Sequence, residues 1–169
     1  MADSNYYYTS IDSPLGRLYL AGSAAGLCRV DFSQMSELAF VSSLEKEFKV
    51  KFQKSDKHFS KTIEQLKEYF NGNRKSFDCK LDLSIGTPFQ QKVWKTLLKI
   101  PYGETQSYQW VAQHIGKPLA SRAVGQANGK NPIPIIVPCH RVVSAEGGLG
   151  GFSSGIHNKK KLLKIEGAF

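Results

Sequence analysis

The sequence lacks the features that mark membrane and secreted proteins. No stretch approaches the roughly 18 consecutive apolar residues of a membrane-spanning helix. The N-terminal segment includes Asp3 and no apolar run, so it does not resemble a secretory signal. Three cysteines, Cys28, Cys79 and Cys139, are too few and too widely spaced for a disulfide framework or a paired zinc knuckle. We therefore expect a protein of a reducing, intracellular compartment, with enough apolar residues (41%) to form a core.

Acidic residues are scarce in the second half of the chain. Residues 85–169 hold 11 Lys and Arg against 3 Asp and Glu, whereas residues 1–84 hold 12 against 11. Nearly all of the net charge of +9 therefore belongs to the second half. Basicity confined to one part of a chain favours a polyanionic partner such as nucleic acid. A solubility device or a loose basic tail would give the same charge.

Residues 1–84 are predicted to form a small α+β domain with a supporting role. Turn signals separate three short segments that are typical of strands. These strands are expected at 6–11, 17–21 and 27–32. Apolar residues then recur at helical spacing in 36–48 and in 63–70, which predicts two helices. We expect a small antiparallel sheet with helices, and no side chains in this half indicate a particular chemistry.

Residues 85–169 are predicted to form a mostly helical domain. Thr87-Pro88-Phe89-Gln90 is a capping-box signature with proline at the first helical position, and apolar residues at helical spacing follow it. Trp94 belongs to this apolar series and is expected in the core. Ser107 can cap a second helix, which Gly116 ends.

A third helix is expected to begin at Pro118 and to end at Gly129. Its apolar residues are Leu119, Ala123, Val124 and Ala127. Together with the preceding helix it fits a helix-turn-helix over residues 107–129. The third helix is rich in small residues, which allow close approach to another backbone, and Arg122 is the one charge in its middle. An ordinary helical hairpin would show the same pattern.

The most distinctive segment surrounds Cys139. Prolines at positions 132, 134 and 138 exclude a helix and disfavour a central strand, so residues 131–138 are expected to be extended and fixed in their path. Such a segment can hold the cysteine beside a pocket. The next two residues, His140 and Arg141, can carry positive charge, which lowers the pKa of a thiol and enriches the nucleophilic thiolate.

Cys139 and His140 could serve as a nucleophile and its general base. Because adjacent residues point to different faces, we expect a water molecule to bridge the imidazole and the thiol. The imidazole then needs an orienting carboxylate. The second half offers Glu104, Glu146 and Glu166. Glu166 closes an amphipathic helix and is the best fixed of the three. The alternative is a buried cysteine with a purely structural role.

Pro138-Cys139-His140-Arg141-Val142 resembles the active-site motif of the O6-alkylguanine-DNA alkyltransferases, a family that repairs alkylated guanine. The likeness extends in family order over residues 86–167, and Asp12-Ser13-Pro14-Leu15-Gly16 carries it into the first half. The matching segments are Gly86-Thr87-Pro88-Phe89-Gln90, Ile100-Pro101-Tyr102-Gly103-Glu104-Thr105, Ser107-Tyr108, Ser121-Arg122-Ala123-Val124-Gly125 and Asn131-Pro132.

The resemblance implies direct, irreversible DNA repair by a methylated-DNA–[protein]-cysteine S-methyltransferase. The alkyl group of O6-alkylguanine, with O4-alkylthymine as a further candidate, would move to Cys139 after base flipping. A thioether has no easy hydrolysis route, so each molecule would act once. The resemblance implies a monomer that binds double-stranded DNA through the minor groove, in the cytoplasm or in a eukaryotic nucleus. It also implies a ribonuclease H-like first domain and no cofactor.

The resemblance also assigns roles to individual residues. Cys139 is the alkyl acceptor, His140 its base through water, and Glu166 orients the imidazole. Asn131 links the recognition helix to the active-site segment. Arg122 fills the stack after flipping, and Tyr108 rotates the phosphate and bonds the extruded guanine. Further DNA contacts implied are Gln90, Gln109, Ala120, Ser121 and Lys130, and further pocket residues are Pro134, Val142, Phe152, Ser153 and Ser154.

The sequence departs from the family pattern in several places. Phe152 stands where members mostly have tyrosine, and Ser153-Ser154-Gly155 replaces a more glycine-rich loop over the pocket. Ser154 adds bulk there, so we expect benzyl and other large groups to react more slowly than methyl. Ser23 and Cys28 stand at two places where some members bind structural zinc, so no zinc is expected. The lysines at 159–161 could contact phosphates or form a solvated helix face.

Two other functions fit parts of the sequence. One is a binding module, either an unreactive alkyltransferase-like protein or a helix-turn-helix regulator. The presence of Cys139 argues against the unreactive relative, which has another residue at that place. The other is a hydrolytic thiol enzyme that uses Cys139 and His140, but the basic half would then have no purpose.

Overall fold

A computed structural model describes residues 5–152 and 155–169 of the chain. The chain forms two compact units, Met1–Asp82 and Leu83–Phe169. Within the described residues, no helix has both the length and the apolar character needed to cross a membrane.

The first unit is built on a four-stranded sheet. Its elements are β1 (Tyr6–Ser13), β2 (Gly16–Ser23), β3 (Gly26–Asp31), α1 (Glu37–Phe48), β4 (Gln53–Lys54) and α2 (Ser60–Phe70). The strand order is β3-β2-β1-β4. Strands β1 to β3 are antiparallel neighbours, so the three predicted strands and both predicted helices are confirmed, with ends that differ by up to three residues.

The sheet is mixed, and the prediction of an antiparallel sheet is therefore wrong for one strand. Strand β4 pairs in parallel with β1, with Gln53 opposite Tyr7. Helix α1 lies between β3 and β4 and carries the chain back so that β4 runs in the direction of β1, as parallel pairing requires. A two-residue strand shows no apolar alternation, so the sequence gives no sign of it.

One apolar cluster joins α1 to the sheet. Phe40 and Leu44 lie one turn apart on α1 and are buried with Tyr19 of β2 and Cys28 of β3. The rings of Tyr19 and Phe40 stack with centroids 4.7 Å apart. Burial raises the pKa of the Cys28 thiol to about 11, which fits a small core residue rather than a reactive one.

The second unit is mostly helical. Its elements are α3 (Pro88–Leu97), β5 (Gln106–Ser107), α4 (Tyr108–His114), α5 (Ser121–Gly129), β6 (Val142–Val143) and α6 (Ile156–Ile165). The predicted capping box is confirmed: Thr87 and Gln90 each accept a hydrogen bond from the other's backbone N–H, at 3.1 and 2.9 Å. Trp94 is buried as predicted, and its Nε1 donates to the Ala127 carbonyl at 2.8 Å, which ties α3 to α5.

Helices α4 and α5 pack against each other across a tight turn. The Ser107 hydroxyl caps α4 by accepting from the Trp110 N–H at 3.0 Å, as predicted. Gly116 follows the end of α4 with φ +77°, a left-handed conformation that glycine adopts readily.

Helix α5 begins at Ser121, so the predicted start at Pro118 is wrong. Residues 117–120 form a turn closed by a bond from the Ala120 N–H to the Lys117 carbonyl at 2.9 Å. Leu119, predicted on the apolar face, is fully exposed because it lies in this turn, and Ala123 is exposed as well.

The proline segment is not the extended rod that we expect from its sequence. It folds back between Ile133 and Val137, where the Val137 N–H donates to the Ile133 carbonyl at 2.9 Å. Ile135 has φ +78°, a conformation that is unfavourable for a β-branched residue. The Asn131 side chain fixes the turn from both ends, because its Oδ1 accepts from the Ile133 N–H at 3.0 Å and its Nδ2 donates to the Val137 carbonyl at 2.8 Å.

Candidate active site

Cys139 begins a single 3-10 turn, Cys139–Arg141, directly after the proline segment. Its backbone N–H donates to the Val137 carbonyl at 2.8 Å. Its carbonyl accepts from Asn128 Nδ2 on α5 at 3.3 Å. The residue is only 3% exposed. The cysteine backbone is therefore fixed both by the turn before it and by α5.

The thiol is protonated at neutral pH. Burial raises the pKa of Cys139 to about 11, although a hydrogen bond with the Asn131 side chain and the charge of Lys159 both oppose this. The expectation that charges on His140 and Arg141 lower the pKa of the thiol is wrong, because desolvation of the buried sulfur outweighs the nearby charges. A group that removes the thiol proton is therefore needed for attack.

His140 has the geometry of that base. Its ring is completely buried, and its Nε2 lies 2.7 Å from Glu166 Oε1. A carboxylate accepts hydrogen bonds, so Nε2 carries the proton of the neutral ring and Nδ1 has a lone pair. Nδ1 has no hydrogen-bond partner among the described residues. Burial lowers the pKa of His140 despite the contact with Glu166, which keeps the ring neutral and able to accept a proton.

Glu166 lies at the C-terminal end of α6 and receives two side chains. Besides His140, Arg141 donates from Nε to Oε2 and from Nη2 to Oε1, both at 2.9 Å. Burial alone would raise the pKa of Glu166, but the hydrogen bonds from His140 and Arg141 lower it to about 2. Glu166 is therefore an anion throughout the neutral range. Arg141 is a functional contact that the sequence analysis misses, because only its charge is visible there.

Lys159 is a second residue that the sequence analysis misjudges. The sequence suggests that Lys159 contacts phosphates or lies on a solvated helix face. Both expectations are wrong for this lysine, because it is 0% exposed. Its Nζ donates to the Val142 carbonyl at 2.6 Å and to the Gly151 carbonyl at 3.1 Å, so it joins the two ends of the intervening loop. Its position three and four residues before Leu162 and Leu163, both buried, is the signal that could have found it.

A cavity of about 290 Å³ lies between Tyr108, α5 and the loop that Lys159 holds. It is lined by Tyr108, Gly125, Asn128, Gly129, Gly151 and Phe152. Asn128 connects it to the nucleophile through the Cys139 carbonyl. Burial raises the pKa of Tyr108, so its phenol keeps the proton and can donate a hydrogen bond. A Cβ at Gly150 would lie 2.5 Å from the Tyr108 hydroxyl oxygen, so the loop passes the ring closely.

The remaining predicted pocket residues are placed differently from one another. Pro134 is half-buried in the proline turn, and Val142 is completely buried, with its carbonyl bonded to Lys159. Ser153 and Ser154 lie outside the described residues, so the predicted effect of Ser154 on large alkyl groups stays a prediction.

The residues predicted to contact DNA differ in exposure. Arg122, Gln109 and Lys130 are exposed, whereas Gln90, Ala120 and Ser121 are half-buried. The Gln90 side-chain oxygen is engaged in the capping box of α3. Within residues 5–152 and 155–169, no three His, Cys, Asp or Glu side chains are grouped as metal ligands.

Both units match known sequence families. Residues 6–83 match the family described as 6-O-methylguanine DNA methyltransferase, ribonuclease-like domain. Residues 88–168 match the family described as 6-O-methylguanine DNA methyltransferase, DNA binding domain.

Similar proteins and structures cover nearly the whole chain. A methylated-DNA–protein-cysteine methyltransferase of Methanosarcina barkeri is 46% identical, over 95% of this chain and 96% of that protein. The Mycobacterium bovis protein of the same name is 48% identical, over 95% of this chain and 92% of that protein. The crystal structure of Mycobacterium tuberculosis OGT in complex with DNA is similar with a TM-score of 0.83 and 46% identity, over 96% of this chain and 93% of that chain.

Proposed function

The chain belongs to the 6-O-methylguanine DNA methyltransferase family, and we propose that it repairs DNA by moving the alkyl group of O6-alkylguanine onto its own Cys139. The observation that carries this proposal is the buried contact between His140 and Glu166. It lies next to Cys139, whose carbonyl is bonded to Asn128 in the wall of the cavity. The relative solved in complex with DNA supports DNA as the partner.

The proposed step is a single displacement at the alkyl carbon. The Cys139 sulfur forms a bond to that carbon while the bond from carbon to guanine O6 breaks, and the electron pair stays on the guanine. The thiol proton passes through a bridging water to His140 Nδ1. The departing guanine takes up a proton and returns to its ordinary keto form. The protein is left with a thioether, which water does not hydrolyse, so each molecule reacts once.

The other site residues hold or complement the reacting groups. Glu166 accepts a hydrogen bond from Nε2 and fixes the imidazole, which leaves the Nδ1 lone pair for the thiol proton. Asn131 braces the turn that leads to Cys139. Tyr108 borders the cavity as a protonated phenol, where it can donate a hydrogen bond to the extruded base and offset the charge on the departing guanine.

We propose that α4 and α5 act as a helix-turn-helix whose second helix enters the minor groove. The outward side of α5 has small residues and one cation, Arg122, which would occupy the stack after the base flips out. Flipping costs a few kcal/mol, which these contacts would offset. Further DNA contacts are assigned to Gln90, Gln109, Ala120, Ser121 and Lys130.

We also assign the pocket, the first domain and the location by proposal. Pro134, Val142 and Phe152 are assigned to the pocket wall. The strand order with β1 parallel to β4 supports a ribonuclease H-like first domain, residues 1–84, that supports the reactive domain, residues 85–169. A DNA substrate and a free thiol fit the cytoplasm, or the nucleus if the host is eukaryotic, and the protein is assigned as a monomer.

The test is the intact mass of the protein after incubation with a duplex that contains one O6-methylguanine. We expect wild type to gain the mass of one CH2 unit, since a methyl group replaces the thiol hydrogen. Cys139→Ala should gain nothing, and Cys28→Ala, a matched buried cysteine, should react like wild type. Binding without a mass change would favour an unreactive lesion-binding protein, and turnover beyond one event per molecule would favour a hydrolytic enzyme.

A further inference from the structure

The guanidinium of Arg141 binds the same carboxylate that orients His140. Glu166 Oε1 accepts from His140 Nε2 at 2.7 Å and from Arg141 Nη2 at 2.9 Å. Glu166 Oε2 accepts from Arg141 Nε at 2.9 Å. The two parallel bonds form a fork, which fixes the plane of a carboxylate as well as its position.

Arg141 is itself held from the side away from Glu166. Its Nη1 donates to the Ile100 carbonyl at 2.6 Å. The guanidinium carbon lies 5.8 Å from the centre of the Tyr102 ring, within the range of a cation–π contact. The Tyr102 hydroxyl in turn donates to the Ile165 carbonyl at 3.0 Å, next to Glu166. The carboxylate is therefore tied to the turn after α3 through the arginine.

We propose that Arg141 is a positioning residue of the alkyl transfer. It holds Glu166 as a fixed anionic acceptor and thereby keeps His140 in the neutral tautomer whose Nδ1 receives the Cys139 proton. This inference rests on the proposed function, because it assigns a role in that reaction to a residue outside the Cys139, His140 and Glu166 series.

The charges around His140 explain why a second partner for Glu166 matters. The charged groups that act on the imidazole are Glu166 and Lys159 from the α6 segment and Arg141 from its own turn. A buried carboxylate alone would favour the imidazolium, which cannot accept a proton. Arg141 and Lys159 work in the opposite direction and help to lower the pKa of His140.

Removal of the Arg141 charge therefore has a predictable direction. The pKa of His140 rises, because Lys159 alone then opposes the effect of Glu166 on the imidazole. Below its pKa the imidazole is protonated and cannot act as the base. In a plot of rate against pH, the acid limb, where the rate falls as the imidazole becomes protonated, should consequently move to higher pH. A lysine at position 141 keeps the charge but lacks the fork, so it should leave the limb in place and lower the rate at every pH.

The experiment measures the second-order rate of Cys139 alkylation by iodoacetamide against pH, with the modified residue located by peptide mass. Arg141→Met removes the charge, Arg141→Lys keeps it, and Arg17→Met is a control at an exposed arginine of the first unit. We expect Arg141→Met to shift the acid limb upward by about one pH unit, a ten-fold loss on the limb. Arg141→Lys should lose about ten-fold at all pH values, because Glu166 and the imidazole are then less firmly placed. Arg17→Met should match wild type.

Thermal unfolding establishes that each variant is folded before its rates are compared. If Arg141→Met does not fold, Arg141→Gln, which keeps donors for the Ile100 carbonyl but removes the charge, takes its place. An acid limb that stays at the wild-type pH in the folded neutral variant overturns the proposal, even if the rate falls, since that pattern reflects a purely structural role.

Iodoacetamide needs no DNA, so this result is independent of the substrate. A wild-type protein that takes no methyl group from DNA, yet shows the Arg141-dependent limb, would overturn the proposed function and with it the role of Arg141 in alkyl transfer. Only the effect of Arg141 on the His140 base would then stand.

Discussion

Replacement of Gly150 by alanine should slow alkyl transfer through Tyr108. The new Cβ would lie 2.5 Å from the Tyr108 hydroxyl oxygen and 3.0 Å from the ring carbon Cε2, distances at which either the ring or the loop must move. Gly150 also has φ +72°, which adds backbone strain of about 1 to 2 kcal/mol for alanine. The movement displaces a ring that borders the cavity.

Gly147→Ala separates the two effects. Gly147 lies in the same loop with φ +89°, but a Cβ there would meet nothing within 4 Å. Both variants should therefore lose similar stability, about 1 to 2 kcal/mol at most. Gly150→Ala alone should transfer methyl at least about ten-fold more slowly, because misplacement of a contacting group by about 1 Å can reduce a rate by up to about a hundred-fold.

The assay is the single-turnover rate of methyl transfer from an O6-methylguanine duplex, followed by intact protein mass, with thermal unfolding measured in parallel. Equal transfer rates for Gly150→Ala and Gly147→Ala would refute the reasoning, since backbone strain in the loop would then explain the whole effect. Wild-type transfer rates in both variants would also contradict the prediction. The Tyr108 ring would then tolerate the alanine side chain without any effect on the reaction.

Three further predictions concern Lys159, Trp94 and the size of the alkyl group. Burial lowers the pKa of Lys159 to about 8, whereas an unfolded lysine titrates near 10.4. Between these values the unfolded chain binds more protons, so the free energy of unfolding in urea should rise with pH by about 3 kcal/mol relative to Lys159→Met. Parallel pH curves for the two proteins would contradict this. Trp94→Phe removes the hydrogen bond to the Ala127 carbonyl and some buried volume. It should lower the free energy of unfolding by about 2 to 3 kcal/mol. An unchanged melting temperature would show that this bond does not stabilise the packing of α3 on α5. A benzyl group should transfer more slowly than methyl in paired rate measurements, and equal second-order rates would disprove the narrow pocket.

Local signals in the sequence predict most of the helices. The caps at Thr87 and Ser107 depend on residues three positions apart, so they are readable before the fold is known. The start of α5 is misread because Pro118 is equally suited to a turn. The fold-back at Ile135 depends on the Asn131 side chain and on burial, and prolines alone exclude helix and strand without fixing the path.

The candidate site divides in the same way. The second half has only three acidic residues, and the family resemblance assigns Glu166 among them as the partner of His140. The structure brings Glu166 and His140 together across 26 positions. Arg141 and Lys159 are visible only as charges, because sequence does not show which cations are desolvated. Arg141 also bonds the Ile100 carbonyl, 41 positions away, and Lys159 bonds the Gly151 carbonyl, 8 positions away. No side-chain pattern marks a backbone carbonyl as the partner of a buried cation.

Helix α5 is short, and its residues either face outward or hold neighbouring parts of the unit. Arg122, Ala123 and Gln126 face outward, while Ala127 and Asn128 hold the Trp94 indole and the Cys139 carbonyl. A helix of nine residues is about 14 Å long and too short to bend appreciably. A tilt that improves the fit of its outer side to a partner would therefore displace the amide that contacts the nucleophile. If α5 contacts DNA as proposed, redesign of its outer side for another DNA shape would consequently also displace the Cys139 backbone.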